Sequence, residues 1–296
     1  MFICFVRHLT PSPMIKVNNL SFTYPGSTKA VLKELNFEIS QGEIFGFLGP
    51  SGAGKSTTQK ILYKILHGFE GEVLIEDKPV NQWGKEYQER IGVGFELPNH
   101  YLKLSGKENL ELFATFYKKE KLLPIPDLFT MVDLADSMDK KVEAYSKGMK
   151  VRLNFIRAIM HSPDILFFDE PTAGLDPVNA YKIKAHILKM REEGKTIFIT
   201  THNMSTADEL CDRVAFIVDG QLRVTEKPSV LKHQHGKNVV KVERKDARTA
   251  EFPMEQLGAN ESFLSFIRQD ELLRINTLEA TLEEVFIQVT GKALKA

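Results

Sequence analysis

Nowhere does this sequence of 296 residues hold an uninterrupted apolar run approaching the ~20 residues that a membrane-spanning helix needs. Its most apolar segments, Ile165 to Phe168 and Val214 to Val218, are strand-sized, so the chain is not read as a membrane-spanning protein. Net charge is missing as well. Lys plus Arg and Asp plus Glu both number 39, which leaves no overall electrostatic footprint for nucleic acid or anionic lipid. Cysteine is scarce: Cys4 and Cys211 form no spacing motif, which argues against a disulfide framework and for a reducing compartment. There is no internal repeat and no low-complexity tract. A signal peptide is not expected either, because the six apolar residues that open MFICFVRHLTPSPM are followed, not preceded, by a basic residue, Arg7. Residues 1–13 are expected to form a disordered extension, with Met14 as the first residue of the domain.

What is present is ordinary globular composition, 43% hydrophobic and 26% charged, at a length that suits one large domain with a smaller appendage. From Ile15 the pattern is of short strands (IKVNNLSFTY, VLKELNFEIS, EIFGFLG), a helix after Lys55, then strands at GEVLIED and IGVGF. Residues from about 97 to 160 read mostly helical, with GKENLELFATFYKK the clearest stretch and Pro124 and Pro126 breaking the pattern. DILFFD, a helix from Pro177 to about Glu193, KTIFITT, a helix from Ser205 to Cys211 and RVAFIVDGQLRV then alternate, which argues for a parallel α/β sheet ending in a hairpin at Asp219-Gly220.

Periodicity lapses around Lys232 to Asn238, the expected boundary between a first domain over residues 14–233 and a small accessory domain over residues 238–296. In the second part, strand-like VVKVE and ELLRI flank a helix near ESFLSFIRQ. A last helix opens on Thr281 with Glu284 three residues on, a capping box, and Gly291 can end it. No chemistry is evident there.

The chemistry gathers in the first domain. GPSGAGKST, Gly49 to Thr57, has the form G-x-x-x-x-G-K-[ST] between a strand and a helix. In such a loop (here Gly49, Pro50, Ser51, Gly52, Ala53, Gly54, Lys55, Ser56 and Thr57) backbone N–H groups curl round anionic oxygens, Lys55 reaches the outer phosphates and Ser56 can ligate Mg²⁺. DILFFDEP ends a buried strand on Asp169 and Glu170, at the carboxyl edge where ligands of such sheets bind. Asp169 suits a Mg²⁺ shell; Glu170 suits the polarising of a water that attacks a γ-phosphate. His202 follows a third buried strand at the same edge. Alone it would be read as an ordinary surface histidine.

These motifs, in this order over Met14 to about Val230, resemble the nucleotide-binding subunit of an ABC (ATP-binding cassette) transporter. The resemblance implies a P-loop NTPase (RecA-like) α/β core with an antiparallel β subdomain and a helical subdomain at about 97–160, followed by the small α+β appendage. It implies ATP hydrolysis with ATP and Mg²⁺ as ligands, Glu170 and His202 as catalytic residues, Tyr24 stacking on adenine, and Asp176 in AGLD contacting a sister subunit. YSKGMK at Tyr145 to Lys150 falls where the family has its signature. Ser146 also reads as a plain helix cap, but Ser146, Lys147, Gly148 and Met149 would serve the ATP site of the opposite subunit, so a homodimer or a heterodimer with a second ATPase follows. Met149, Leu153, Ile156 and Met160 form an apolar stripe behind them, with Lys150, Arg152 and Arg157 off it.

Two departures mark the chain. The signature keeps only Ser146 and Gly148, which is tolerable where backbone N–H groups do the binding. Glu96 stands where the family has a glutamine. A carboxylate there adds charge beside phosphates unless it lies near the metal or is partly protonated, and its plainest reading is a substitute oxygen ligand. Both departures resemble prokaryotic exporters of drugs and other hydrophobic compounds whose membrane permease is a separate chain. The expectation is therefore a peripheral ATPase on the cytoplasmic face of the membrane, driving an integral permease and binding no nucleic acid. An ABC-type ATPase outside transport is the alternative; coiled-coil insertions, paired cassettes and basic linkers would favour it, and the sequence has none.

Overall fold

A computed structural model describes residues 13–97, 99–236, 239–268, 271–278 and 280–292. The extension expected ahead of Met14 lies, apart from Pro13, outside the described residues. Two compact units divide the chain, the first ending at Thr225 and the second beginning at Glu226.

In the first unit β1 (Ile15–Phe22) pairs antiparallel with β2 (Leu32–Ile39), whose Leu32, Leu35, Phe37 and Ile39 turn inward. β3 (Ile44–Leu48) is buried at every residue, as a central strand covered on both faces must be. It feeds directly into the phosphate-loop sequence and α1 (Lys55–Leu62). β4 (Glu70–Ile75) and β5 (Lys78–Pro79) complete a four-stranded sheet in the order β2-β1-β4-β5.

β6 (Ile91–Gly94) leads to the helical stretch: α2 (Gly106–Ala114), α3 (Ile125–Met131) and α4 (Lys147–Ile159). Here α2 stops five residues short of the periodic stretch. The chain turns away because the Tyr117 ring stacks on His161, centroids 3.8 Å apart, and the Leu123 N–H bonds the Met160 carbonyl. Pro124 and Pro126 do not merely break a pattern; they open α3, where a missing N–H costs nothing.

β7 (Ile165–Asp169), α5 (Pro177–Glu192), β8 (Thr196–Thr201), α6 (Met204–Leu210), β9 (Arg213–Val218) and β10 (Gln221–Glu226) follow. The sheet order is β10-β9-β3-β8-β7-β6, with β3 and β6 to β9 parallel. Asp219 and Gly220 both take positive φ, 52° and 78°, as a two-residue hairpin requires. A Cβ on Gly220 would stand 2.2 Å from the Val31 carbonyl oxygen, so only glycine fits. Phe37, Phe45, Phe47, Phe167 and Phe198 form one aromatic cluster between the two sheets. Each such ring adds about 1.5–3 kcal/mol on burial.

The second unit opens with α7 (Pro228–His235), which packs on the last helix; its division from the first unit therefore precedes the polar stretch that the sequence singles out. β11 (Val239–Arg244) and β12 (Thr249–Pro253), the latter not foreseen, are followed by α8 (Glu261–Arg268), β13 (Leu272–Leu278) and α9 (Leu282–Thr290). The sheet order is β12-β11-β13. Both hydrogen bonds of the Thr281 capping box form, and Gly291 ends α9 at φ 67°.

Candidate nucleotide site

The strand β3, five residues of pure core, fixes the start of the loop, and the loop's close approach to β9 fixes its course. A Cβ at Gly49 would meet the Ile217 carbonyl oxygen at 2.2 Å. Gly54 caps α1 at φ 112° without any side-chain bond, so the first N–H groups of the helix keep their positive end for an anion. Lys55 is buried and its ammonium donates to the Gly49 carbonyl at 2.6 Å and the Pro50 carbonyl at 3.1 Å. Burial lowers its pKa, while Glu170, Asp169 and Glu96 pull it back up. On the near side the Tyr24 hydroxyl meets Thr57 Oγ1 at 3.2 Å, and its ring stands edge-on to Phe22 and 36% exposed.

Across the loop lie the carboxyl ends of β7 and β8. Their register sets Asp169 beside Thr200, and the Thr200 hydroxyl donates to the Asp169 carboxylate. Glu170 leaves the strand with φ 51°, a left-handed conformation that costs a non-glycine residue on the order of 1 kcal/mol. Its carboxylate is only 9% exposed and fully engaged. Oε2 accepts from the Thr201 hydroxyl at 2.8 Å, and Oε1 accepts from the His202 backbone N–H at 2.8 Å and from His202 Nδ1–H at 2.6 Å. His202 itself stays 53% exposed. One cleft of about 410 Å³ takes in Tyr24, Ser51, Gly52, Gly54, Lys55, Ser56 and Thr57 on one wall and Glu96, Asp169, Glu170 and His202 on the other.

Four residues that the motifs do not contain hold this arrangement. Thr200 and Thr201 orient the two carboxylates; hydroxyls closing an otherwise apolar strand were the available signal. Gln59, buried one turn after Lys55, donates to the Phe168 carbonyl at 3.1 Å and ties α1 to β7. Asn154 donates to the Phe95 carbonyl at 2.8 Å. Beside it, Arg157 corrects the helical-wheel reading that set it off the apolar stripe. It is 8% exposed, donates to the Asn99 carbonyl at 2.9 Å and to Asn154 Oδ1 at 2.6 Å, and lies over the Phe113 ring. A guanidinium satisfied by neutral oxygens and an aromatic face can be buried where periodicity alone predicts an apolar side chain.

This cleft is accompanied by similarity to known proteins along almost the whole chain. The ABC transporter family matches residues 32–173. A fluoroquinolones export ATP-binding protein of Mycobacterium tuberculosis is 48% identical over 285 residues, 95% of this chain and 94% of that one. The chain belongs to the ABC transporter ATP-binding proteins. A Nod factor export ATP-binding protein I of Bradyrhizobium diazoefficiens is 31% identical over 90% of this chain and 94% of that one. A bacterial ABC transporter cassette, in a dimeric structure, matches with a TM-score of 0.66 at 30% identity over 72% of this chain and 98% of that one. The same cassette in a post-hydrolysis state bound to ADP and Pi matches with a TM-score of 0.65 at 29% identity over 72% and 98%. The fold is thus that of an ABC ATPase cassette, and the chain binds nucleotide and hydrolyses ATP as this family does.

The YSKGMK stretch, Tyr145 to Lys150, runs into the start of α4. Ser146 caps the helix, its hydroxyl accepting from the Met149 N–H at 3.2 Å. Lys147 lies against Gly174, whose added Cβ would meet Lys147 Cε at 2.9 Å. At Gly148 a Cβ would make only ordinary contacts, 3.5 Å or longer, so nothing among the described residues demands glycine there. Asp176 caps α5 through the N–H groups of Val178 and Asn179, and the Asn179 side chain, then those N–H groups, holds its carboxyl below the usual range. Among the described residues no three His, Cys, Asp or Glu side chains converge into a metal-binding group. Ser56, Asp169 and Glu96 nevertheless face one cleft, and oxygen donors of this kind fit Mg²⁺, which keeps waters and takes phosphate oxygens instead of needing a protein cage. No helix among the described residues is long and apolar enough to cross a membrane.

Proposed function

We propose that this chain is the ATP-hydrolysing subunit of an exporter whose permease is a separate membrane protein, working on a drug-like or other hydrophobic compound. The observation that carries the reading is the Glu170–His202 pair at 2.6 Å facing Lys55 across one cleft. Glu170 is the group that orients and polarises the attacking water, and His202 holds its carboxylate and faces the γ-phosphate. Tyr24 offers its ring to adenine, Gly49 to Thr57 cradle the phosphates, and Lys55 leaves the Gly49 and Pro50 carbonyls for the outer phosphates. Ser56, Asp169 and Glu96 would hold Mg²⁺, which would supply charge neutralisation for the phosphates. Ser146, Lys147, Gly148 and Met149 complete the site of the partner subunit, and Asp176 lies at the seam between two cassettes.

Dimerisation and a membrane partner are supported by the family and by cassettes described as dimeric or as part of a transporter complex, such as CbiO1 of Clostridium perfringens. A cleft of about 540 Å³ beside the Glu96 loop, walled by Tyr63, Phe95, Tyr101 and Phe113, suits a permease segment at the cytoplasmic membrane face. The names of the export relatives support export over import. The test is Glu170→Gln: ATP is bound, hydrolysis falls by about 10²-fold or more, and size-exclusion chromatography shows an ATP-trapped dimer. Hydrolysis at the parental rate would remove Glu170 from its role.

A further inference from the structure

We propose that Glu96 makes nucleotide binding by this cassette conditional on a divalent cation, its carboxylate bringing the cleft to a charge at which a triphosphate binds well only together with metal. The inference rests on reading the cleft as the ATP site. Charge there is lopsided: among the described residues lining the cleft, three carboxylates, Glu96, Asp169 and Glu170, face one ammonium, that of Lys55. Two of the three are engaged by donors. Asp169 accepts from Thr200, and Glu170 accepts from Thr201 and His202. Glu96 is exposed and, among the described residues, has no hydrogen bond and no ion pair. Lys55 does not compensate it, since its ammonium is directed to the Gly49 and Pro50 carbonyls and feels Glu170 and Asp169 more strongly than Glu96.

Nor is Glu96 on a free loop. The backbone is pinned to α4 on both sides of it, at the Phe95 carbonyl by Asn154 and at the Asn99 carbonyl by Arg157, while His100 Nε2–H donates to the Lys150 carbonyl at 3.0 Å. A carboxylate held at the mouth of a phosphate site repels a bare triphosphate. Once a divalent cation sits between them, the same charge becomes attractive. One residue thereby weakens metal-free binding and strengthens metal-bound binding, and the difference is a coupling free energy between nucleotide and metal. Glutamine at this position would supply an oxygen without the charge, so the departure from the family pattern has a thermodynamic consequence of its own.

The experiment titrates the full chain with a fluorescent, non-hydrolysable ATP analogue in EDTA and in excess Mg²⁺, for the parent, Glu96→Gln and Glu96→Asp. Glu96→Gln is expected to tighten metal-free binding on the order of tenfold and to shrink the Mg²⁺-dependent gain in affinity by at least that factor. Glu96→Asp, which keeps the charge, is expected to hold the parental gain within about twofold. A parental gain in Glu96→Gln, or an equal collapse in both variants, overturns the proposal. Failure of the parent to bind the analogue even with Mg²⁺ overturns the ATP reading itself, a result distinct from the other two because it does not depend on Glu96.

Discussion

Lys55 is where the motif and its surroundings matter together. The G-x-x-x-x-G-K-[ST] pattern names the residue, but its burial and its bonds to Gly49 and Pro50 come from the loop lying against β9. A lysine kept desolvated next to three carboxylates is a charge held ready for an anion. Lys55→Ala should therefore weaken nucleotide binding by at least about tenfold while leaving the fold intact, because two loop carbonyls can take water in its place. Titration of the fluorescent analogue against a thermal melt separates the two effects, and unchanged affinity would argue against the phosphate role. Glu170 shows the opposite balance. Its position after an apolar strand was visible in the sequence, whereas its left-handed backbone and the Thr201 and His202 bonds depend on the pairing of β7 with β8.

Among the elements, α4 joins most of these parts. It is capped by Ser146, and its later turns carry Asn154 and Arg157, which pin the Glu96 loop. The cap at Ser146 and the anchors of the Glu96 loop are thus mounted on one helix. Ser146→Ala removes a cap, a loss of about 1 kcal/mol in helix stability. If the hydroxyl also meets the partner's nucleotide, ATP-driven dimerisation should fall further than nucleotide affinity of the single subunit, measured by analytical ultracentrifugation and by titration. Equal losses would reduce Ser146 to a cap. The helical wheel of α4 was legible as far as Leu153, Ile156 and Met160. Arg157 was not, because periodicity reports only apolar positions and carries no information on the carbonyls of a loop more than fifty residues earlier.

Across the whole molecule, two histidines make the fold sensitive to acid. His161, 1% exposed and stacked on Tyr117, has its pKa lowered from 6.5 to about 4 by burial, with its bond to the Ile91 carbonyl acting the other way. His100 is lowered to about 4, again chiefly by burial. Both are neutral in the fold, so the unfolded chain binds more protons between pH 4 and 6.5, and stability rises with pH across that window. The contribution is complete above about 6.5 and is lost as pH falls toward about 4, at up to ~1.4 kcal/mol per pH unit for each histidine. His161→Gln keeps a donor for Ile91 and removes one titration; its melting temperature should fall less steeply between pH 6.5 and 4.5 than the parent's. An identical slope would show that His161 is not what the acid attacks.

The sequence alone determined the strand-loop-helix at Gly49 to Thr57, the strand ending on Asp169 and Glu170, the alternation that builds a parallel sheet, the Asp219-Gly220 hairpin and the capped last helix. These are local matters: each follows from residue type at short spacing, through backbone conformation, burial of alternate side chains or a cap bond. Only the tertiary structure decided what stands across the cleft. The order β3-β8-β7 puts Thr200, Thr201 and His202 against Asp169 and Glu170, and α4 fixes Glu96 from behind. Even the end of α2 and the start of the second unit were set by partners distant in sequence, Met160 for one and α9 for the other. Hydrogen bonds and burial act between groups that the chain must first bring together, and no short window of sequence records which groups those are.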